Sequence, residues 1–424
     1  SQALAFDIVA RNAIVRDPNF HDGQYYDQPQ GPLVGLALAR MLGHITYLSR
    51  EAMMQKFDAD RLHPREIQTQ FETKFSVGSY LAHQADRFGE RFDANSYLTL
   101  SMAIDLFDLG ATQAELAEKL GRSQCRWLII GFSSDWLFPA FQLREMVGSL
   151  LAQNRPVSYS NITSGCGHDA FLLPNDLGMY GELTRCFVAN LDLPPAEATS
   201  HATSADVASE TERHSLTSIF HQRHRLDYDR LVELIPSGAS VLDLGCGTGG
   251  LLTKLRQRGH RRLVGIELDE RAICTCVCRG LDVVQGDLNL GLPAFDEGQF
   301  DFVVLSQTLQ AVMDVRRVLH EMLRVGRRAI VSFPNLGYRE LRRQLAEEGR
   351  APRIFPDEGY HWYNTPNVRF LSLADFEQFC RDEGFAILRQ LAIDTATGNP
   401  VAEDPNLNAD VAIAVLAREA PSAP

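Results

Sequence analysis

The chain has 424 residues, enough for two or three domains at roughly 100–200 residues each. Its 45% hydrophobic and 22% charged residues are ordinary for a globular protein, and a formal charge of −13 argues against broad binding of nucleic acid or anionic membrane, both of which need a positive field. No apolar run reaches the ~18 residues of a membrane span, the opening SQALAFDIVARNAIVRDPNF has no basic region followed by an apolar stretch, and 8 cysteines without framework spacing fit a reducing cytoplasm.

The first stretch reads as helical. Apolar residues recur at helical intervals in AFDIVARNAIV, in LVGLALARMLGHITYLS and in ANSYLTLSMAIDLFDL. Strand character begins only with CRWLIIGF, residues 125–132, followed by a helix, a second strand over 157–162 and a helix over 176–190. Asp135 follows the first strand in GFSSDWLFP, and His168 follows the second in GCGHDAFLL, 33 residues on. An acid and then a histidine at successive strand ends is the order in which α/β-hydrolases present them. The acid fixes the imidazole tautomer while the imidazole serves as base. A histidine beside a glycine turn can equally be a plain loop residue.

SDWLFP and GHDAFLL, with LARMLGHITYLS and RFDANSYL upstream, closely resemble homoserine O-acetyltransferases from about residue 1 to Leu191. The resemblance implies an α/β-hydrolase sheet with an inserted helical cap, which accounts for the long helical section. It implies Asp135 and His168 as catalytic acid and base, Arg40 and Tyr47 as holders of homoserine, and Asp169 on its amino group. It also implies acetyl-CoA or succinyl-CoA as acyl donor, and a homodimer or an association with acyltransferase subunits. Arg40 and Tyr47 are two turns apart on one helix face, and a guanidinium suits a carboxylate. The family's nucleophile lies in a Gly-Gly-Ser-Met-Gly elbow, whereas no Gly-x-Ser-x-Gly occurs in this sequence. Without a nucleophile, acid and base have nothing to activate. The chain, which does not begin with Met, is therefore expected to be the rear portion of a longer fusion whose matching region precedes Ser1.

LPPAEATSHATSADVASETER, residues 193–213, opens with a Pro pair and has almost no bulky apolar residues, which is linker composition. The expected division is an acyltransferase-like portion over 1–192, the linker, and a second domain over 214–424.

That second domain alternates strands and helices as α/β proteins do. Strands are expected over 240–245, 262–268, 281–287, 300–306 and 328–334, then over 385–393 and 410–418: a doubly wound sheet with an antiparallel excursion at its end. Three of the second half's cysteines cluster in AICTCVCRG. Alternate positions on a helix point about 200° apart, so Cys274, Cys276 and Cys278 diverge and are expected to be small buried hydrophobes rather than a metal site.

In VLDLGCGTGGLLTKL a strand runs into Gly245, Gly247, Gly249 and Gly250, where glycine permits positive φ and close approach of a ligand. Glu267 ends the next strand 22 residues beyond Gly245, where an acid accepts from ribose hydroxyls in Rossmann-like sites. Asp243 precedes the turn, poised for an ammonium or a water, and Asp287 closes the third strand, where an acid can meet an adenine amino group. Either aspartate alone could simply cap the helix that follows it. Together these residues resemble a class I S-adenosylmethionine-dependent methyltransferase, which implies Asp243, Gly245 and Gly247 near the methionine end, Glu267 on the ribose and Asp287 at the adenine.

More narrowly, QGDLNLGL, FDFVVLSQTLQAV, EMLRVGRRAIVSFPN and WYNTPN resemble the MetW family of methionine-biosynthesis proteins over about Leu216 to Ala417. Ser306, Gln307 and Thr308 stand where methylating relatives carry an Asn-Pro-Pro-Tyr type clamp, and His361, Trp362 and Tyr363 could form an aromatic lid or pack on the sheet edge. The expected function is a methionine-biosynthesis fusion: a homoserine O-acyltransferase joined to a domain that binds S-adenosylmethionine, with regulation as one role for that domain. The alternative is an active methyltransferase of small molecules whose first half is an interaction surface.

Overall fold

A computed structural model of the chain describes residues 2–57, 76–191, 226–349, 351, 362–363, 365, 367–395 and 397–418. The expected linker and His361 lie outside the described residues. Contacts gather the chain into two compact units. One comprises Ser1–Gln124, Ile129–Ser149 and Asn161–Gly181, the other Cys125–Leu128, Leu150–Ser160 and Glu182–Pro424.

The first unit opens with helices α1 (Gln2–Val15), α2 (Leu33–Tyr47), α3 (Arg50–Phe57), α4 (Ser76–Gly89), α5 (Ala94–Leu106) and α6 (Gln113–Gly121). Its core joins Ala10 and Ile14 of α1 to Leu36 and Ala39 of α2, with Phe20, Tyr25 and Phe88 around them. The helices cross closely at Gly35, where a Cβ would lie 2.5 Å from the Ala13 carbonyl oxygen. Asp17 fixes the start of α2 by accepting from the Gly35 N–H at 2.7 Å. The helical section then gives way to β1 (Trp127–Phe132), α7 (Ala140–Ala152), β2 (Val157–Ile162), a 3-10 turn over His168–Leu172 and α8 (Leu177–Ala189), as the periodicity expects.

The second unit, which already holds most of β2 and α8, continues with α9 (Leu226–Leu234), β3 (Val241–Leu244), α10 (Gly250–Gln257), β4 (Leu263–Glu267), α11 (Glu270–Cys278), β5 (Asp282–Gln285) and β6 (Phe300–Ser306). Next come α12 (Val315–Val325), β7 (Gly326–Pro334), α13 (Arg339–Glu348), α14 (Leu373–Glu383), β8 (Phe385–Asp394), β9 (Asn399–Pro400), α15 (Pro405–Asn408) and β10 (Val411–Arg418). In hydrogen-bonding order the strands run β1-β2-β5-β4-β3-β6-β7-β10-β8-β9. Strands β3 to β7 pair in parallel. β10 then runs antiparallel to both β7 and β8, Val411 being in register with Pro334 and with Ile393.

The seven expected strands are all present, and the antiparallel excursion is β10 inserted between β7 and β8. β2 adds to the far side of β5 through Tyr159 and Val284. Strands covered on both faces read as near-continuous apolar runs, and β6 is such a strand, with every residue but Asp301 buried. The helices have their own local logic. Asp314 caps α12 by accepting from the Arg317 N–H, and Val318, Leu319, Met322, Leu323 and Val325 form its buried stripe.

One expectation is corrected. Cys278 is not a free buried thiol but is disulfide-bonded to Cys186, with a Cα–Cα distance of 4.5 Å across 92 residues of sequence. Such a pairing depends on α8 meeting α11, which no local cysteine spacing reveals. Cys274 and Cys276 remain thiols and are buried. Among the described residues, the one cluster of metal-ligand type is Glu182, Cys186 and Cys278, whose two sulfurs are spent on each other.

Candidate functional sites

In the first unit the loops after β1 and β2 bring Asp135 and His168 together. Asp135 Oδ2 lies 2.9 Å from His168 Nδ1, while its Oδ1 accepts from the N–H groups of Leu137 and Phe138, both at 3.0 Å. The acid is thus held by its own loop and leaves one oxygen for the imidazole. This hydrogen bond raises the His168 pKa above the ordinary 6.5, against the opposing effect of burial. The ring packs beside Tyr47, Phe138 and Phe171, at centroid distances of 5.9, 5.2 and 5.7 Å.

Gly167 makes this approach possible. Its φ is +80°, and a Cβ there would lie 2.4 Å from the Ser49 nitrogen and 2.8 Å from the Tyr47 carbonyl oxygen. The histidine loop therefore touches the end of α2 backbone to backbone, with the Gly167 N–H donating to Ser134 Oγ at 2.9 Å.

Arg40 and Tyr47 share one side of α2, the guanidinium lying 5.9 Å from the Tyr47 ring and 4.8 Å from that of Phe88. Among the described residues Arg40 makes no ion pair. Burial raises the Asp169 pKa, and the positive charges of His168 and Arg40 work against that rise. Tyr47 is likewise raised by burial, with Arg40 opposing and Asp169 adding. Five residues of opposite and complementary chemistry thus gather: Asp135, His168, Arg40, Tyr47 and Asp169.

Sequence reasoning missed their neighbours. Tyr80 Oη lies 3.0 Å from His44 Nδ1, and Lys56 Nζ lies 3.9 Å from the Tyr80 ring centroid. Burial, then Arg40 and Lys56, lower the His44 pKa to about 4, so its ring is neutral near pH 7. Only the one-turn step from Arg40 to His44 was a usable signal in the sequence.

In the second unit Asp243, Glu267 and Asp287 all stand at the C-terminal ends of the adjacent strands β3, β4 and β5. Between β3 and α10 the chain turns through Gly245, Gly247 and Gly249, with φ of +67°, +53° and +78°. A Cβ on Gly245 would meet Thr308 at 2.9 Å, and one on Gly249 would meet Leu281 at 2.3 Å. Glu267 holds this turn: its Oε2 accepts from the Gly247 N–H at 2.7 Å, while Oε1 accepts from Leu268 and Asp269 N–H groups. Asp243 is buried. Asp287 caps the 3-10 turn Leu288–Leu290 through Oδ1, which accepts from Asn289.

Beside the loop after β6 lies a polar residue that the sequence did not single out. Asp227 of α9 accepts from Ser306 Oγ at 2.8 Å and Ser332 Oγ at 3.2 Å. Gln307 adopts φ of +50°, and its buried Oε1 has no hydrogen-bond partner among the described residues. Trp362 and Tyr363 are exposed and pack edge-on at 5.6 Å.

An acid–histidine pair at two strand ends and a glycine turn with three strand-end acids mark an α/β chain, hydrolase-like first and Rossmann-like second. Residues 225–416 match the family model described as methionine biosynthesis protein MetW. Across 99% of its length the chain is 47% identical to the bifunctional methionine biosynthesis protein MetXA/MetW of Rhodopirellula baltica, of which it covers 66%. A homoserine O-acetyltransferase of Methanohalobium evestigatum is 51% identical over 41% of this chain and 35% of its own length. A homoserine O-succinyltransferase of Nitrosomonas europaea is 42% identical over 46% of this chain and 51% of its own. Residues 225–416 are thus similar to MetW proteins, and the portion before them to homoserine O-acyltransferases. The chain spans about half or less of those acyltransferases.

Proposed function

We propose that the chain serves methionine biosynthesis as part of a fusion that moves an acyl group from a coenzyme A thioester to the homoserine hydroxyl and binds S-adenosylmethionine. The observation that carries the acyl-transfer reading is the 2.9 Å contact of Asp135 with His168 beside Arg40, Tyr47 and Asp169. In this reading His168 takes the proton of the attacking hydroxyl and later returns it, and Asp135 keeps Nδ1 protonated so that Nε2 is the base. Arg40 and Tyr47 hold the homoserine carboxylate, and Asp169 holds its ammonium group. The acyl-accepting serine comes from residues outside this chain, and the donor is acetyl-CoA or succinyl-CoA. We further assign residues 1–192 to the acyltransferase, 193–213 to a linker and 214–424 to the cofactor domain, and place the assembly in the cytoplasm as a homodimer or in association with acyltransferase subunits.

The donor set of the second unit suits a nucleoside with a cationic amino acid tail. Glu267 offers a carboxylate to the ribose, Asp287 to the adenine amino group, and Asp243 to the methionine end along Gly245 and Gly247. Gln307 Oε1 is an orphaned buried acceptor next to Thr308, which itself touches Gly245. When bound, S-adenosylmethionine supplies a sulfonium centre. The loop after β6 offers Ser306, Gln307 and Thr308, with the Asp227 carboxylate engaged by the hydroxyls of Ser306 and Ser332, and we read this domain as a sensor.

The test is calorimetric titration with S-adenosylmethionine of wild type and of Glu267→Ala. Saturable binding, weakened roughly tenfold or more by loss of a charge-assisted hydrogen bond, is expected; a folded wild type that does not bind overturns the cofactor reading. The sensing role fails if acyl transfer by the full fusion ignores the cofactor over its binding range.

A further inference from the structure

The last turns of α8 and α11 meet within the second unit, where Cys186 and Cys278 are bonded. Asn190 fastens the same junction: its Nδ2 reaches the carbonyl oxygens of Cys186, Val277 and Cys278 at 2.8, 3.1 and 3.1 Å. Arg126 adds a brace, donating to the Asn190 carbonyl and pairing with Asp282, each at 3.1 Å. Toward its other side the same turn of α11 props the glycine loop. Cys276 Sγ donates to the Gly247 carbonyl oxygen at 3.2 Å, and Arg279 Nη1 donates to that of Thr248 at 2.7 Å. Cys278 is thus two residues from one support of the loop and adjacent to the other.

We infer that Cys186 and Cys278 form a reversible redox site, a dithiol whose closure to a disulfide stiffens the last turn of α11 and tightens the nucleoside site. Cys278 is half-buried, whereas Cys274 and Cys276 are buried. The neighbouring thiols are poor competitors. Burial pushes Cys274 up to about 11, and Cys246 is raised by its contact with Cys276 and by complete burial. In a reducing compartment a disulfide is transient or sensing rather than structural, and a bond placed behind a cofactor loop has something to report to.

The chemistry is exchange with a low-molecular-weight disulfide. The Cys278 thiolate attacks it, forming a mixed disulfide and expelling one small thiol. The Cys186 thiolate then attacks the Cys278 sulfur and expels the second. Two protein thiols are oxidised, one small disulfide is reduced to two thiols, and the two protons pass to the departing thiolates.

The test equilibrates the full chain in graded ratios of oxidised to reduced glutathione, then alkylates it under denaturing conditions for intact-mass and peptide analysis. Eight adducts are expected in the reduced form and two fewer in the oxidised form, with a peptide linking Cys186 to Cys278. Eight adducts at every ratio, or linkage of another pair such as Cys246 and Cys276, overturns the site.

Calorimetry with S-adenosylmethionine tests the coupling, which alone rests on the cofactor reading. Reduction should weaken binding about fivefold or more. Cys278→Ser should hold the weaker value in both buffers. Equal affinities of the oxidised and reduced wild type overturn the coupling. A bond that forms in protein with no affinity for the cofactor sinks the cofactor reading and the coupling with it, and leaves the redox site standing.

Discussion

His168 and His44 occupy the same unit and answer acid in opposite ways. The hydrogen bond that His168 donates to Asp135 raises its pKa above 6.5. Its contribution to stability is therefore complete below that value and is lost as the pH rises through the folded one. As a base it must be neutral, so acyl transfer by the full fusion should rise with pH across that raised value. Asp135→Asn should move the acidic limb of the kcat profile to lower pH, and His168→Ala should cost about 10²–10⁴-fold in kcat. His44 is depressed to about 4, so the unfolded chain binds its proton first as the pH falls below 6.5. The urea midpoint should drop between pH 6.5 and about pH 4, and drop less in His44→Gln. Gly167 belongs to the same scale. With φ of +80° and Ser49 nitrogen 2.4 Å from any Cβ, Gly167→Ala should cost about 2 kcal/mol or more, read from urea melts.

Helices and strands were the most legible level of the sequence. FDFVVLS and RAIVSFP announce β6 and β7 because strands buried on both faces need uninterrupted apolar runs. The same burial hides position: DVAIAVLAR reads no differently whether it lies at the edge or, as β10 does, between β7 and β8. Asp135, His168 and the three acids of the second unit were legible because strand ends are where open α/β sheets gather their ligand-facing residues. Tyr80, Lys56, Asp227 and the Cys186 partnership were not, since each depends on helices that approach from distant parts of the chain. Local capping is testable at this level. Asp314→Ala removes the acceptor for the Arg317 N–H and should cost about 1 kcal/mol, with the loss visible in thermal unfolding of the second unit.

For the molecule as a whole, cofactor binding and stability are linked. S-adenosylmethionine at 100 times its dissociation constant should stabilise the folded chain by about 2.7 kcal/mol, a gain that a tenfold weaker Glu267→Ala should cut to about 1.4 kcal/mol at the same concentration. The position of β10 has a temporal consequence. It follows every other strand in sequence, yet it fills the gap between β7 and β8. On the ribosome, β3 to β8 emerge before the strand that joins them, so two long backbone edges wait unpaired until residues 411–418 clear the exit tunnel. A stop codon at Val411 should therefore give an aggregating product rather than a slightly shorter enzyme, and translation should be the stage at which this protein most needs a chaperone.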